Sequence, residues 1–241
     1  RLFARIDSET RDRDALAENA AEWAETLART TNSVEAVIAI LDGAAKRLPD
    51  NGTVPLSYAV SALPLLKGRY LLQAGQTNAA EAVWIALGGY PRADEDIRVE
   101  ALLQLATIAR DSKASVLQAR VALDICRKAE NKRRVSLFLG LRLIESKETI
   151  AEGEMILKSV IRENIAAPES MRAQLALAEA YLKVGLNEQA AREFRIFNES
   201  YDSPEFNAAA LSGRAEALVA LKRFTEAAVI FRRLGEIPGA D

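Results

Sequence analysis

The chain has 241 residues, 49% of them hydrophobic, which is enough for a folded core and excludes a disordered chain. Its 32 lysines and arginines nearly cancel 34 aspartates and glutamates, and this balance excludes the basic excess of a nucleic-acid binder or a polybasic membrane-surface protein. With no histidine and a single cysteine, Cys126, the chain lacks the commonest general base, the commonest transition-metal ligand and any internal disulfide.

Alanine, leucine, glutamate and arginine dominate, while glycine (12) and proline (7) are sparse. Few stretches alternate as a half-buried strand must, so the composition predicts an all-α chain. No apolar run approaches the roughly 20 residues of a membrane-spanning helix, so no direct membrane insertion is expected. The chain opens on Arg1 without an apolar leader, which reads as a piece of a longer protein or a mature chain. Residues 1–14 are charge-dense, with apolar side chains only at Leu2, Phe3, Ala4 and Ile6, and read as a linker or the tail of a preceding helix. Residues 15–241 form the predicted helical region.

Small residues recur in register through that region. The first copy holds Ala24, Leu27, Ala36 and Ile40, and Asn32 with Glu35 reads as a capping start for its second helix. A turn follows at Asp50-Asn51-Gly52. The second copy holds Gly68, Leu71, Gly75, Ala80 and Trp84. Pro64 lies inside its first helix, which is therefore expected to start near Ser61 or to kink, with a short helical turn over 56–62 before it. A loop with Pro91 leads to the third copy, Leu105, Ala106, Ala109, Ala119 and Leu123. Cys126 near its end reads as a small core residue. The cluster Arg127, Lys128, Lys132, Arg133 and Arg134, with Glu130, reads as a solvated helix end complementing the helix dipole. The fourth copy holds Leu139, Gly140, Leu143, Gly153 and Leu157, with Thr149 and Glu152 as its capping pair.

The fifth copy is Leu177-Ala178-Glu179-Ala180-Tyr181, then Gly185, Ala190 and Phe194, and the sixth is Ala215, Leu218, Phe224, Ala227 and Phe231. Pro168 and Pro204 stand where a first helical residue would be, the position that tolerates a missing N–H, with Ser203 as a cap. The small residues of the six first helices are Ala24, Gly68, Ala106, Gly140, Ala178 and Ala215, at spacings of 44, 38, 34, 38 and 37. Within each copy a second small residue follows after 12 positions, or after 13 in the third and fourth.

This order of small, large, turn, small and large resembles the tetratricopeptide repeat, whose unit is about 34 residues. The main departure in the fifth copy is Phe197, where that family usually carries alanine. The resemblance implies a right-handed α-solenoid of antiparallel helix pairs, since a two-helix hairpin cannot bury its apolar stripe alone and must stack on the next. Glycine or alanine at each crossing lets helix axes approach to about 8–10 Å. Tyr181, Phe194, Trp84 and Phe231 are then expected to fill the space beside the crossings.

The resemblance also implies a function: a scaffold that holds a protein or peptide on the face made by the first helices, within a larger bacterial multi-repeat protein. By register, the ligand-facing positions fall on Leu65, Arg69 and Leu72, on Leu103 and Arg110, on Arg134, Leu137 and Leu141, and on Arg172, Leu175, Glu179 and Leu182. Gln73, Glu100, Thr107, Ile144, Glu145, Lys183, Ser212, Glu216 and Val219 complete the face. Its leucines either form an open apolar floor or are buried by curvature. An open floor rimmed by arginine suits an amphipathic helix or extended apolar peptide with some acidic character. The lysines and asparagines with which some members clamp a terminal carboxylate are replaced here by leucine, alanine and glutamate. No phosphate-binding glycine loop, serine elbow or metal motif is present, so neither a cofactor nor catalysis is expected. A second reading is self-association through the solenoid ends, where Phe231, Leu234 and Ile237 provide no polar cap. A remote third is a helical toroid using paired carboxylates.

Overall fold

The computed structural model describes residues 12–236 except 32, 49, 51 and 53. Residues 1–11, most of the charge-dense segment, lie outside the described residues, as do Asn32 and Ile237. Twelve helices and no strand are found among the described residues. They are α1 (Arg13–Thr30), α2 (Val34–Arg47), α3 (Tyr58–Gln73), α4 (Thr77–Gly88), α5 (Glu95–Ile108) and α6 (Ser112–Ile125). There follow α7 (Ala129–Leu143), α8 (Ile150–Glu163), α9 (Pro168–Lys183), α10 (Asn187–Ser200), α11 (Pro204–Ala220) and α12 (Phe224–Gly235).

Contacts group the chain into two compact units that part between Asn131 and Lys132, in the first turn of α7. In the first unit, α1 pairs with α2, α3 with α4 and α5 with α6, while α1 meets α3 and α3 meets α5. In the second, α9 pairs with α10 and α11 with α12, and α9 meets α11. Within the first unit each helix touches its successor, and within the second the same holds from α8 onward, with first helices also meeting across neighbouring hairpins, the contact pattern of a stacked α-solenoid rather than of a bundle. The fold is all-α and built of antiparallel helix pairs.

Local chemistry starts the helices. Asp12 accepts hydrogen bonds from the Asp14 and Ala15 N–H groups, Ser57 from Val60, Asp94 from Asp96 and Ile97, and Asp111 from Ala114. Pro168 and Pro204 open α9 and α11 as expected. Ser203 precedes Pro204 but its side chain makes no capping bond. Thr149 also fails as a cap, because its hydroxyl donates back to the Leu143 carbonyl at 2.6 Å. The observed cap of α2 is Ser33, which accepts from Ala36 N–H. Pro64 neither starts nor ends a helix: α3 begins at Tyr58 and runs through it, absorbing the predicted short turn. Pro64 is the seventh residue of this helix, whose start is fixed by Ser57.

Three hairpin turns share one closure. Gly75 donates to Leu72 and Gln76 to Leu71; Gly185 donates to Leu182 and Leu186 to Tyr181; Lys222 donates to Val219 and Arg223 to Leu218. This motif needs a left-handed residue at its centre, and φ is 74° at Gly75, 79° at Gly185 and 59° at Lys222. Lys222 therefore stands where the other two turns use glycine.

The predicted small residues are buried at Ala24, Ala178 and Ala215 in first helices and at Ala80, Ala119 and Ala190 in second helices, whereas Ala36 is only half-buried. The glycines are tighter still. A Cβ on Gly68 would meet Trp84 Nε1 at 2.2 Å, and one on Gly140 would meet Leu157 Cδ2 at 2.6 Å. Trp84 is fully buried, and its indole N–H donates to the Leu65 carbonyl at 3.2 Å. Phe194 is buried against Gly213 of α11, where a Cβ would come within 2.3 Å of the ring. Tyr181 is buried as expected, and Phe197 is wholly enclosed, its ring 5.3 Å from that of Tyr201.

Two expectations fail on packing. Phe231 is 52% exposed, and Ile230 fills the core of α12 instead. The aromatic at this register in α10 packs on the next hairpin, and no described hairpin follows α12. Cys126 is half-buried at the C-terminal cap of α6, with its thiol directed to the Ala122 carbonyl at 3.1 Å. It is a helix-end residue, not a core one.

The basic cluster reads differently as well. Arg127 and Lys128 precede the N-terminus of α7, the end where the dipole disfavours cations. Acids from α5 compensate: Glu95 accepts from the Arg127 and Lys128 N–H groups, each at 3.0 Å, and from the Asn131 amide. Lys128 Nζ pairs with Asp96 at 2.7 Å. Desolvation alone would push the Glu95 carboxyl up, but the bonds from Lys128, Asn131 and Arg127 outweigh it and hold the group below its usual range.

The long spacing between the first two copies is also explained. Arg92, from the α4–α5 loop, reaches into the α2–α3 loop and pairs with Asp50 through two contacts of 2.8 Å. It also donates to the Val54 carbonyl, while Leu56 N–H donates to the Arg92 carbonyl. The Asp50 carboxyl is held below its usual range, chiefly by the Gly52 N–H and also by Arg92.

Candidate functional site

The first helices of each unit carry the predicted ligand-facing positions. The assigned leucines of these helices have two different fates. Leu65, Leu103, Leu137 and Leu175 are buried, with exposures of 5%, 9%, 7% and 9%. Leu137 packs among Leu157, Val160 and Ala173, and Leu175 joins the core of α9 to α12. These four belong to the packing between helices and not to an open floor. Leu72, Leu141 and Leu182, nearer the helix ends, are half-buried and reach the surface.

In the first unit, Arg69 on α3 pairs with Glu100 on α5 at 3.0 Å, joining two positions that the register assigned to one face. Gln104 donates to the same carboxylate at 2.8 Å. Leu72 is half-buried on the same helix as Arg69. Arg110 is exposed but lies beyond the end of α5. The register carried over from a longer helix places it on the face, whereas the helix stops at Ile108.

In the second unit, α7 and α9 border a cleft of about 410 Å³. Leu141, Ile144, Glu145, Glu179 and Lys183 line it, all of them positions assigned from the sequence. Phe138 and Arg142 line it too and were not assigned. Each lies one residue around the helix from a chosen position, and their adjacency to Leu137 and Leu141 was the available signal. The Arg142 guanidinium lies 5.3 Å from the Phe138 ring centre and 3.3 Å from Glu145, so the two added side chains and one predicted acid form a single rim. Arg134 is half-buried on α7, Arg172 is exposed on α9, and Leu182 is half-buried beside Lys183; none of these three lines the cleft.

The cleft has an apolar base, Phe138, Leu141, Ile144 and Ala176, between two cations and two carboxylates. Glu179 is exposed at its edge, yet the surrounding walls desolvate its carboxyl and raise it above the usual carboxylate range. A carboxyl held this way gains from a hydrogen-bond donor or cation brought by a ligand. The described residues contain no group of His, Cys, Asp or Glu able to hold a metal ion, and no described helix is long and apolar enough to cross a membrane. The arrangement can bind; it offers no nucleophile poised against a base.

No family model matches the chain. No curated protein matches it either. Among solved structures, it is similar to the crystal structure of a tetratricopeptide repeat protein from Parabacteroides merdae, with a TM-score of 0.59 at 14% identity. The alignment covers 92% of this chain and 79% of that one. The likeness is one of fold: a tetratricopeptide-like helical repeat.

Proposed function

We propose that this chain is a protein-interaction scaffold that seats an apolar peptide segment, helical or extended, in the cleft between α7 and α9. The observation that carries this reading is the cleft itself: half-buried Leu141 and Ile144 at the base of an open site of about 410 Å³, ringed by Arg142, Lys183, Glu145 and Glu179. Apolar anchors surrounded by charge suit a peptide with two or three apolar side chains, with the rim fixing orientation. Exposed Arg172 on α9 favours acidic flanking residues.

Selection from a random peptide library, followed by titration of the recovered peptides, tests this. The recovered peptides are expected to carry apolar pairs at helical or alternating spacing. Leu141→Arg is expected to weaken them at least about tenfold, because it puts a charge on the apolar base. Arg172→Glu is expected to weaken acidic-flanked peptides by a smaller factor. Recovered peptides that bind Leu141→Arg and wild type alike would place the ligand elsewhere.

A second reading is favoured by a separate observation. Phe224, Val229 and Phe231 on α12 are 62%, 51% and 52% exposed, a concentration of bare apolar side chains on one helix. It supports self-association through α12. Light scattering decides: a concentration-dependent dimer that Phe231→Glu dissolves supports it, and a monomer at all concentrations removes it.

A further inference from the structure

In the first unit, α2 and α4 both pack on α3, and a recess of about 440 Å³ lies between them. Leu41, Leu48, Val60, Leu63 and Leu87 line it and all are buried, so it is an interior pocket and not a surface dent. Exposed Ala45 on α2 and exposed Ala86 on α4 border its opening. One end is fixed by the loop brace of Arg92 and Asp50, because Tyr90 and Ala93, close to Arg92 in the chain, form that wall.

The matching space in the last two hairpins is lined differently. There α10, α11 and α12 border a cleft walled by Arg192, Arg195, Arg214 and Arg223 with Glu188 and Glu226. The charged groups of the first-unit recess are Lys67 and Asp42, which pair with each other at 2.7 Å. Its remaining lining is apolar except for Ser61 and Tyr90. Packed interiors rarely keep apolar voids much larger than a water molecule, and a space of this size is in the range of small-molecule sites.

Two polar groups in the wall are incompletely paired. Ser61 is 1% exposed, and its hydroxyl accepts from the Asp94 N–H at 3.0 Å. Among the described residues, nothing accepts the proton of that hydroxyl. Pro64, also in the wall, has no N–H, so the Val60 carbonyl lacks its helical donor. Buried polar groups are ordinarily satisfied, and a donor and an acceptor left over in one apolar pocket are a place for a ligand's polar group.

We propose that this recess binds a small neutral molecule, mostly apolar and carrying one hydroxyl group, of the class of phenols and cyclic alcohols. One ligand hydroxyl can accept from Ser61 and donate to the Val60 carbonyl. Lys67 and Asp42 satisfy each other, so a charged ligand would be buried without a counter-ion. Volume sets the size: a cavity of roughly 150 Å³ holds benzene, so this one takes about two fused rings with substituents. The recess lies on α2, α3 and α4, not on the cleft between α7 and α9, so it stands or falls independently of peptide binding.

Equilibrium dialysis of the full chain at neutral pH tests it, with β-naphthol, β-methylnaphthalene, β-naphthoate and N-acetyltryptophanamide as probes. β-Naphthol is expected to bind saturably at one site per chain, and the other three at least about fivefold more weakly. Ser61→Ala is expected to bring β-naphthol down to the level of β-methylnaphthalene while leaving the hydrocarbon within about twofold, a change in ratio that mere loss of stability would not produce. Ala86→Phe, at the exposed opening, is expected to weaken β-naphthol at least about tenfold. Ala79→Phe, exposed on the same helix outside the recess, is expected to change it by less than about twofold. Circular dichroism checks that each variant folds, and Ala86→Phe carries the test if Ser61→Ala does not. No uptake of β-naphthol up to its solubility limit, or equal effects of Ala86→Phe and Ala79→Phe, would overturn the site. β-Methylnaphthalene or β-naphthoate binding as tightly as β-naphthol would overturn the ligand class. N-acetyltryptophanamide binding as tightly would give the recess to a partner protein's side chain and overturn the proposal as well.

Discussion

Trp84→Ala is expected to lower the stability of the first unit by about 3–5 kcal/mol, read as a shift of the urea unfolding midpoint. Trp84 is fully buried, so its removal empties a volume that rigid helices on both sides cannot close. Its indole N–H also leaves the Leu65 carbonyl, which loses a partner. The complementary change acts on the same contact from the other side. A methyl added in Gly68→Ala would lie 2.2 Å from Trp84 Nε1 and 2.5 Å from Cε2, and the ring has no free end to swing aside. A loss of about 2–3 kcal/mol follows from overpacking, despite alanine's better helix propensity. If both variants melt with the wild type, α3 and α4 do not cross at Gly68.

Gly153→Ala is the second large effect, in the second unit. Here a new Cβ would approach the Ile144 side chain at 2.6 Å, the Ile144 backbone nitrogen at 2.8 Å and the Gly140 carbonyl oxygen at 3.0 Å. Two of those atoms are main chain, so relief requires α8 to move away from α7, and a cost of about 3 kcal/mol is expected. Gly43→Ala provides the opposite sign. Gly43 lies within α2, and a Cβ there meets nothing within 4 Å. Helix propensity alone then acts, and a gain of about 0.5–1 kcal/mol is expected. Thermal or urea melts of the two variants should therefore move in opposite directions. A Gly153→Ala protein as stable as wild type would show that the α7–α8 crossing is not where the glycine pair places it.

These crossings were legible from the sequence because side-chain size is itself the constraint. An alanine or glycine recurring 12 or 13 residues after another marks two helices pressed together whatever the rest of the sequence does, and Ala24, Gly68, Gly140 and Ala178 were all found that way. Gly213 escaped because Ala215, two residues on, satisfied the same spacing. The fates of Phe231 and of Leu65, Leu103, Leu137 and Leu175 were not legible. A periodic apolar stripe looks the same whether a neighbouring helix covers it or water does, and only the placement of the next element decides. The helix start expected near Ser61 and the cap expected at Thr149 were misread for a related reason. Both carry a local signal, one for breaking a helix and one for capping it, that a competing bond or an earlier start overrode.

The candidate cleft was half legible. The register found Leu141, Ile144, Glu145, Glu179 and Lys183, which share one cleft, because all lie on helices of ordinary length. It misplaced Arg110, where α5 ends early, and it passed over Phe138 and Arg142, since a rule that selects one column of a helix omits the column beside it.

The two aromatic contacts differ in which hairpin they serve. Trp84 closes on Gly68 of its own pair, whereas Phe194 closes on Gly213 of the pair that follows. The α3–α4 pair is consequently self-sufficient at its crossing, but α10 borrows its cover from α11. Loss or exchange of the final pair would bare Phe194 and propagate damage backward. Growth of such an array by duplication is thus tolerated more readily beside a unit sealed like α3–α4 than beside one sealed like α9–α10.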